Sequence, residues 1–302
     1  MKRPDYRSLN IALGLALFAS TITFAQSEKI ILKMVPEPNQ TVRMKMINEM
    51  EMDMSFEGDL PADAASLGPM KMKSRTVFAM TQKVGAPDKQ GNVISEMTYD
   101  ELSSEITMNG QPMQLDDTIG KFTGQKIMAT FDKQGEMVDI KIPSEMGLPE
   151  EAFKQMMKSL YGNLPKTPIG VGEVATSPLD FAVPIPLPGA PPLKTDGQIK
   201  FKLVSLEKDA TGRIAKFDQT VDGKVVTNLE LPTPNGPAKM SIDFKINGAG
   251  DLVMNVDKGV MNSGNSNATF GGKIQMTGES SGTKLPAINL QGTMKITITG
   301  SN

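Results

Sequence analysis

Two serine motifs in this chain have the spacing of known nucleophilic sites. Residues 278–282 read G-x-S-x-G, the pattern of a strand-to-helix turn that exposes a serine to its substrate. Ser205 and Lys208 match S-x-x-K, in which a lysine one helical turn away meets the serine. The first motif lacks a base, because the chain contains no histidine. The second lies in an alternating, strand-like segment that sends Ser205 and Lys208 to opposite faces, so we interpret both motifs as non-catalytic.

The other chemistry-bearing residues form no recognisable catalytic or metal site. Asp116 and Asp117 are adjacent, whereas glycosidase chemistry needs two carboxyls that converge across a substrate bond. The absence of cysteine excludes thiol catalysis and thiolate metal centres, and the absence of histidine removes the commonest general base and metal ligand. The sequence therefore predicts no catalytic residue, no metal site and no cofactor, in a protein that is not an enzyme.

Methionine is unusually frequent, since the chain has 23 methionines and no tryptophan. Six candidate ligand-facing residues share one parity in a single segment: Met44, Met46, Met50, Met52, Met54 and Phe56. Three interpretations are open, namely a plain core, a flexible lining for an apolar ligand, and thioether ligands for Cu(I). Copper is the least favoured, because neither histidine nor cysteine is present to anchor a metal site.

A long β-strand is the element that would position these side chains. From Val42 to Phe56, apolar residues at even positions alternate with polar residues such as Arg43 and Glu49, and Asn48 breaks the apolar series. Because successive side chains of a strand point to opposite faces, this pattern predicts one apolar face and one solvated face. A strand of this length spans about 50 Å and indicates a large, curved sheet.

Shorter alternating segments and recurrent turns extend the predicted sheet. Two further apolar faces are predicted by residues of one parity: Ile127, Ala129 and Phe131, then Val138, Ile140 and Ile142. Hairpin turns of the pattern D-x-x-G, with one variant, are predicted at four places: Asp88–Gly91, Asp132–Gly135, Asp209–Gly212 and Asn247–Gly250. This recurrence favours an antiparallel meander.

One amphipathic helix is predicted over 149–162, where Pro149 and two glutamates suit a helix start and apolar residues recur on one side. Prolines crowd into 165–193, which predicts a stiff connection between β-rich halves at about 28–145 and 196–300. The predicted fold is therefore mainly β. It is a large curved antiparallel sheet or half-open barrel with one amphipathic helix, forming a single domain over 26–302.

The N-terminus has the three zones of a secretory signal. Lys2, Arg3 and Arg7 precede an uncharged apolar stretch, and small residues around Ala25 suit a signal peptidase. We expect cleavage after Ala25, so that residues 1–25 are a signal peptide. The mature chain is then expected in the periplasm or outside the cell, with no transmembrane segment.

Several segments resemble a bacterial exported family of about this length, known as a domain of unknown function. They are Ile30–Met34 with Gln40–Met44 at the mature start, the proline-rich Leu164–Glu173, and Gly250–Gly282, which includes Asp257–Val260. The tryptophan that often follows the proline-rich segment in that family is absent here. The resemblance implies an envelope protein without known catalytic residues. The predicted shape is also similar to the half-open barrels of periplasmic lipoprotein carriers, which is an analogy of fold alone.

The sequence predicts that the methionine-lined face binds an apolar or lipid-like ligand in the cell envelope, without catalysis. The alternative is an envelope scaffold or protein-interaction module with a filled core. Nucleic-acid binding is not expected, because the formal net charge is -2 at pH 7 and no tryptophan is present for base stacking.

Overall fold

The computed structural model describes residues 28–58, 68–113, 122–143, 154, 164–179, 182–183, 193–233, 236–278 and 287–301. Within these ranges the chain is mainly β. The first eight strands are β1 Lys29–Ile30, β2 Thr41–Glu57, β3 Met70–Val84, β4 Val93–Met108, β5 Gln111–Met113, β6 Lys126–Phe131, β7 Met137–Lys141 and β8 Ile169–Gly170. The next eight are β9 Val174–Pro178, β10 Ala182–Val183, β11 Leu193–Lys194, β12 Asp196–Asp209, β13 Gly212–Thr233, β14 Gly236–Asn255, β15 Val260–Gly278 and β16 Ala287–Ser301.

One 12-stranded antiparallel sheet dominates the described residues. Its strands follow the order β7-β6-β4-β3-β2-β16-β15-β14-β13-β12-β9, and β5 pairs with β4. The pairing of β2 with β16, in which Met50 lies opposite Met294, joins N-terminal strands to C-terminal strands. The sheet is not closed, because β7 and β9 form its two edges. The large antiparallel sheet predicted from alternation is thus confirmed.

The two faces of this sheet differ in chemistry. The charged face carries cross-strand ion pairs between β2 and β3, including Glu51 with Lys73 at 2.7 Å and Glu49 with Arg75 at 3.8 Å. The apolar face is the side that carries the side chains in phase with Met44. A slip of one residue in strand register would exchange the two faces, so the register of these strands is strongly specified.

One end of the apolar face is closed by residues 28–40, which we call the N-terminal strap. Ile30 and Leu32 of the strap are 3% and 4% exposed and pack in a cluster with Phe217 of β13. Val35 packs against a second cluster, which is built on β3, β4, β6 and β7. The strap therefore connects the buried clusters of the two halves, and each fully buried aliphatic side chain contributes about 1.5–3 kcal/mol.

A glycine lets the strap cross the end of β15. The Glu37 N–H donates to the Lys258 carbonyl at 3.1 Å. A Cβ on Gly259 would lie 2.2 Å from the Val35 carbonyl oxygen. The φ of Gly259 is 65°, in the left-handed region that glycine adopts without steric cost.

The three D-x-x-G turns form as predicted. The Asp88 carboxylate accepts a hydrogen bond from the Gln90 N–H at 2.8 Å, and Gly91 closes the turn with a φ of 87°. Asp132 and Asp209 make the same bond to the residue two positions on, at 2.9 Å and 2.6 Å. Each of these aspartates thereby fixes a hairpin connection by purely local hydrogen bonding.

The fourth predicted turn, at Asn247–Gly250, is wrong. These residues lie within β14 and pair with β13 and β15 on either side. Neither glycine of the segment has a positive φ. A Cβ on Gly250 would lie 2.1 Å from the Asn265 carbonyl oxygen, so this glycine allows a close approach of two strands.

The predicted apolar face that begins at Val138 is also corrected. Val138 is 46% exposed, whereas Met137 and Ile140 are buried. The pairing of β6 with β7 shifts register between Thr130 and Phe131. The extra residue in β7 turns Val138 away from the core.

Two predictions concern residues outside the described ranges. The signal peptide over 1–25 lies outside them. The helix predicted over 149–162 also lies outside them except at Lys154, whose backbone is helical, so this prediction is not confirmed. The described part of 165–193 supplies β9, an edge strand, where proline is tolerated. Within the described ranges, no helix has the length and apolar character needed to cross a membrane.

Ion pairs at the strap end predict how stability depends on pH. A hydrogen bond from the Arg213 side chain lowers the pKa of Asp257 below 3.8, and one from Lys29 lowers the pKa of Glu173 below 4.5. A carboxyl with a depressed pKa stabilises the fold fully above its unfolded-state pKa, and this contribution is lost as pH falls through the folded-state pKa.

We therefore expect the melting temperature to hold from neutral pH to about pH 5 and to fall below about pH 4. Asp257→Asn should lower the melting temperature at pH 7 and make its acid dependence shallower. Thermal unfolding followed by circular dichroism between these pH values checks both results. An unchanged melting temperature in strong acid would contradict the expectation.

Candidate functional site

The six residues predicted to face a ligand lie on the apolar face of β2, in two environments. Met44 lies beneath the strap, where it packs against a buried cluster that includes Met80. With Met34, Met80 and Met261 it also lines a cavity of about 70 Å³, which is too small for an acyl chain. The other five are half-buried and lie farther from the strap along β2.

Beyond Met46 the apolar face is incompletely covered along β2, although it is buried on β13 and β14, where Leu229 and Ile242 are 3% and 9% exposed. Met50, Met52, Met54 and Phe56 are half-buried and belong to none of the three buried clusters among the described residues. Together with their apolar neighbours on adjacent strands they form what we call the open apolar region. Those neighbours are Met70 and Met72 on β3, Ile106 and Met108 on β4, Ile288, Leu290 and Met294 on β16, Phe270 on β15 and Ile246 on β14.

The open apolar region is large. It extends about 26 Å along β2 from Asn48 to Phe56, and about 24 Å across the strands from β4 to β14. An apolar face of this extent that is incompletely covered is a candidate site of interaction.

Two aromatic rings on this face pack over glycines of the neighbouring strands. A Cβ on Gly292 would lie 2.5 Å from the ring of Phe270, its cross-strand partner. A Cβ on Gly272 would lie 3.0 Å from the ring of Phe244. The two ring centroids are 5.6 Å apart. Any side chain at Gly292 would displace the Phe270 ring, so glycine is required for this packing.

A row of polar side chains crosses the apolar face beside the open apolar region. We call it the polar belt, and the strand register aligns its members: Ser104 on β4, Thr76 on β3, Asn48 on β2, Ser266 on β15 and Gln219 on β13. Ile296 and Gly250 complete the row on the two intervening strands. The hydroxyls of Thr76 and Ser104 share a hydrogen bond at 3.0 Å. The belt separates the closed strap end from the open end.

Charge is confined to the opposite face. At the polar belt and throughout the open apolar region, the described strands place no charged side chain on the apolar face. On the charged face, Lys273 pairs with Glu57 at 2.7 Å, and hydrogen bonds from Lys273 and Asn289 lower the pKa of Glu57. This lowered pKa reflects an exposed ion pair that favours the ionised carboxylate.

The serine motifs show no catalytic arrangement where they are described. Ser205 donates a hydrogen bond to Glu207 at 3.2 Å, and the pKa of Glu207 is lowered chiefly by a hydrogen bond from Lys216. Asp116 and Asp117, together with residues 279–282, lie outside the described ranges. In the described part of the chain, no group of three or more acidic, histidine or cysteine residues is placed to hold a metal ion.

A second hollow, of about 580 Å³, lies over β14, β15 and β16 and is lined mainly by residues of the charged face. Its lining includes Asn247, Asn267, Thr269 and Lys295. These four side chains are polar and exposed to solvent, and Ala268 and Met294 of the apolar face also contribute to the lining.

Sequence reasoning identified the methionines of β2 but missed the polar belt. Asn48 was visible as the exception in the alternation of β2. Thr76 and Ser266 give no such signal, because serine and threonine are common on either face of a strand. Only the register across the strands shows that these residues form one line.

Comparisons with known proteins show only weak structural similarity. No protein-family model matches the chain and no curated protein matches it, so the resemblance to the bacterial exported family is not confirmed. A structure of lipovitellin that describes its lipid–protein interactions is 8% identical, with a TM-score of 0.44 over 88% of this chain. The match spans 25% of the lipovitellin chain.

Two Pseudomonas aeruginosa proteins show a still weaker likeness. OpdL is 9% identical with a TM-score of 0.20, over 87% of this chain and 99% of its own. OccK11 (OpdR) is 6% identical with a TM-score of 0.19, over 90% of this chain and 99% of its own. None of these likenesses is strong enough to support an argument about function.

Proposed function

We propose that this protein binds a lipid-like apolar ligand on the open apolar region, as an exported, non-enzymatic protein of the cell envelope. The observation that carries the proposal is the incomplete burial of Met50, Met52, Met54 and Phe56 in the described structure. The same face is buried at the strap end, where Phe217 is 1% exposed, and on β13 and β14, where Leu229 and Ile242 are 3% and 9% exposed. The difference leaves the open end of the face in need of an apolar cover.

Covering this surface is favourable, since each 100 Å² of apolar surface removed from water contributes about 2.5 kcal/mol. The length of the region along β2, about 26 Å, is comparable to that of a long acyl chain. Methionine side chains are unbranched and polarisable, so Met50, Met52 and Met54 can adapt to chains of different shape. A flexible, uncharged lining suits lipids better than it suits one protein partner, whose interface would carry a polar rim.

The proposal that the protein is not an enzyme rests on where its reactive groups lie. The lowered pKa values of Glu57, Glu173 and Asp257 belong to ion pairs on the charged face or at the strap end. General acid–base catalysis requires such groups within hydrogen-bond reach of a substrate. The open apolar region contains thioethers, hydrocarbon and aromatic rings, none of which acts as a general acid or base.

We propose export from the cytoplasm because residues 1–25 have the pattern of a signal peptide.

The test uses the full mature chain after removal of bound lipid. The protein is titrated with a neutral fluorescent hydrocarbon probe, and protein purified from its own envelope is examined by native mass spectrometry. We expect saturable uptake of the probe and a lipid mass on the native protein. No uptake, together with a protein partner on the native chain, would contradict the proposal and favour the scaffold interpretation.

A further inference from the structure

Asn48 is an unexplained polar residue on the apolar face. Its Oδ1 is buried and has no hydrogen-bond partner. Its neighbours along β2 are Met46 and Met50, and its partners across the strands are Thr76 and Ile296. A buried acceptor without a donor is destabilising, and an apolar residue of similar size would avoid that cost. Asn48 Oδ1 therefore lacks a hydrogen-bond donor among the described residues.

The neighbouring hydroxyls supply the complementary group. In the hydrogen bond between Thr76 and Ser104, one hydroxyl donates and the other accepts. The hydroxyl that accepts keeps its own hydrogen for a further partner. Thr76 lies on the strand next to Asn48, so these two side chains are about 5 Å apart, whereas Ser104 is one strand farther away. The belt thus offers one acceptor and one donor at a single place.

The charge of the ligand is restricted by the same face. At the belt and over the open apolar region, the described strands place no lysine or arginine on the apolar side. An ionised carboxylate or phosphate covered there would lose its hydration without gaining a cation. A neutral group that both donates and accepts a hydrogen bond meets no such penalty.

We infer that the polar belt recognises the hydroxyl group of a neutral long-chain lipid, an inference that rests on the proposed function. The hydroxyl donates to Asn48 Oδ1 and accepts from the Thr76 hydroxyl, which keeps its hydrogen when Ser104 donates in their shared bond. The hydrocarbon chain then lies along Met50, Met52 and Met54 towards Phe56. Neutral alcohols and partial glycerides belong to this chemical class.

The test compares hexadecanol with hexadecyl methyl ether, which has a matched chain and no donor. Each displaces the neutral fluorescent hydrocarbon probe from the delipidated chain. We expect hexadecanol to bind about tenfold more tightly than the ether, since a buried acceptor that gains a donor recovers roughly this factor. Asn48→Leu should make the two affinities equal, whereas the matched variant Met50→Leu should preserve the tenfold ratio.

The outcomes separate this inference from the proposed function. Equal binding of alcohol and ether by the unmodified protein would overturn the role of the belt and leave lipid binding intact. An unchanged ratio in Asn48→Leu would do the same. Failure of every probe to bind would overturn both proposals.

Hexadecanoate tests the restriction on charge. At neutral pH its carboxylate is ionised, so it should bind more weakly than hexadecanol by at least about tenfold. Its affinity should rise as pH is lowered towards its pKa. Hexadecanoate that bound at pH 8 more tightly than hexadecanol would overturn the assignment of a neutral ligand.

Discussion

Met52→Glu is expected to weaken binding of a neutral lipid probe by about a hundredfold. Met52 is half-buried in the middle of the open apolar region, between Met72 on β3 and Gly292 on β16. In the free protein the new carboxylate reaches water, so the fold should remain intact. Under a bound hydrocarbon chain it would lose its hydration without a cationic partner, at a cost of about 3 kcal/mol or more.

The same physics gives this variant a characteristic pH dependence. A carboxyl covered by lipid has a raised pKa, so protonation becomes easier when the ligand is bound. The affinity of Met52→Glu should therefore recover in part between neutral pH and about pH 5, while that of the unmodified protein stays constant. Equilibrium titration with the fluorescent probe over this pH range measures both effects.

Two variants serve as controls for this prediction. Met52→Leu keeps the surface apolar and should bind the probe normally. Asn267→Glu adds the same charge on the opposite face, where residue 267 is exposed and lies across from Lys295. Equal losses of affinity in Met52→Glu and Asn267→Glu would mean that net charge, and not the apolar face, governs binding.

Phe217→Ala is expected to lower the free energy of unfolding by about 3–5 kcal/mol. Phe217 is 1% exposed and packs with Phe201, Leu203 and Leu252 beneath the strap. Its removal leaves a cavity that the surrounding strands and strap cannot easily fill. Urea denaturation, with comparison of the midpoint and the slope, measures the change.

Phe56→Ala is the matched comparison on the same face of the sheet. Phe56 is half-buried at the open end and belongs to none of the buried clusters among the described residues. We expect its truncation to cost about 1 kcal/mol, as for residues outside a packed core. A cost equal to that of Phe217→Ala would show that the open end is packed core, as the scaffold alternative requires.

The two sets of variants test different properties of the apolar face. The unfolding measurements test whether the open end of the face is packed in the free protein. The binding measurements test whether a hydrocarbon probe binds at that open end. Small stability losses combined with a large loss of affinity in Met52→Glu would support lipid binding on this face and would not be expected of a filled core.

Much of the local structure follows from the sequence alone. The alternation between Val42 and Phe56 predicts a strand with one apolar face, because side-chain direction reverses at every residue. The turns at Asp88, Asp132 and Asp209 are predicted because an aspartate bonds the backbone two residues on. Both features depend on residues a few positions apart, so they can be recognised without knowledge of the fold.

Glycine was a less reliable indicator of a turn than aspartate. Asn247–Gly250 resembles a turn, yet Gly250 lies in β14 where the strand approaches Asn265 of β15. A glycine can permit either a positive φ or a close contact. Only the neighbouring strand decides between these two uses.

The tertiary structure decided which strands became neighbours, and thereby the extent of the site. The pairing of Asn48 with Ile296 joins residues far apart in the chain, and no local pattern specifies it. The same long-range register aligns Asn48 with Thr76 and Ser104 and places the strap over one end of the face. Alternation tells which side of its own strand a residue occupies. Hydrogen bonding between distant strands determines what lies beside it, and so only the folded sheet shows a polar belt next to an open apolar region.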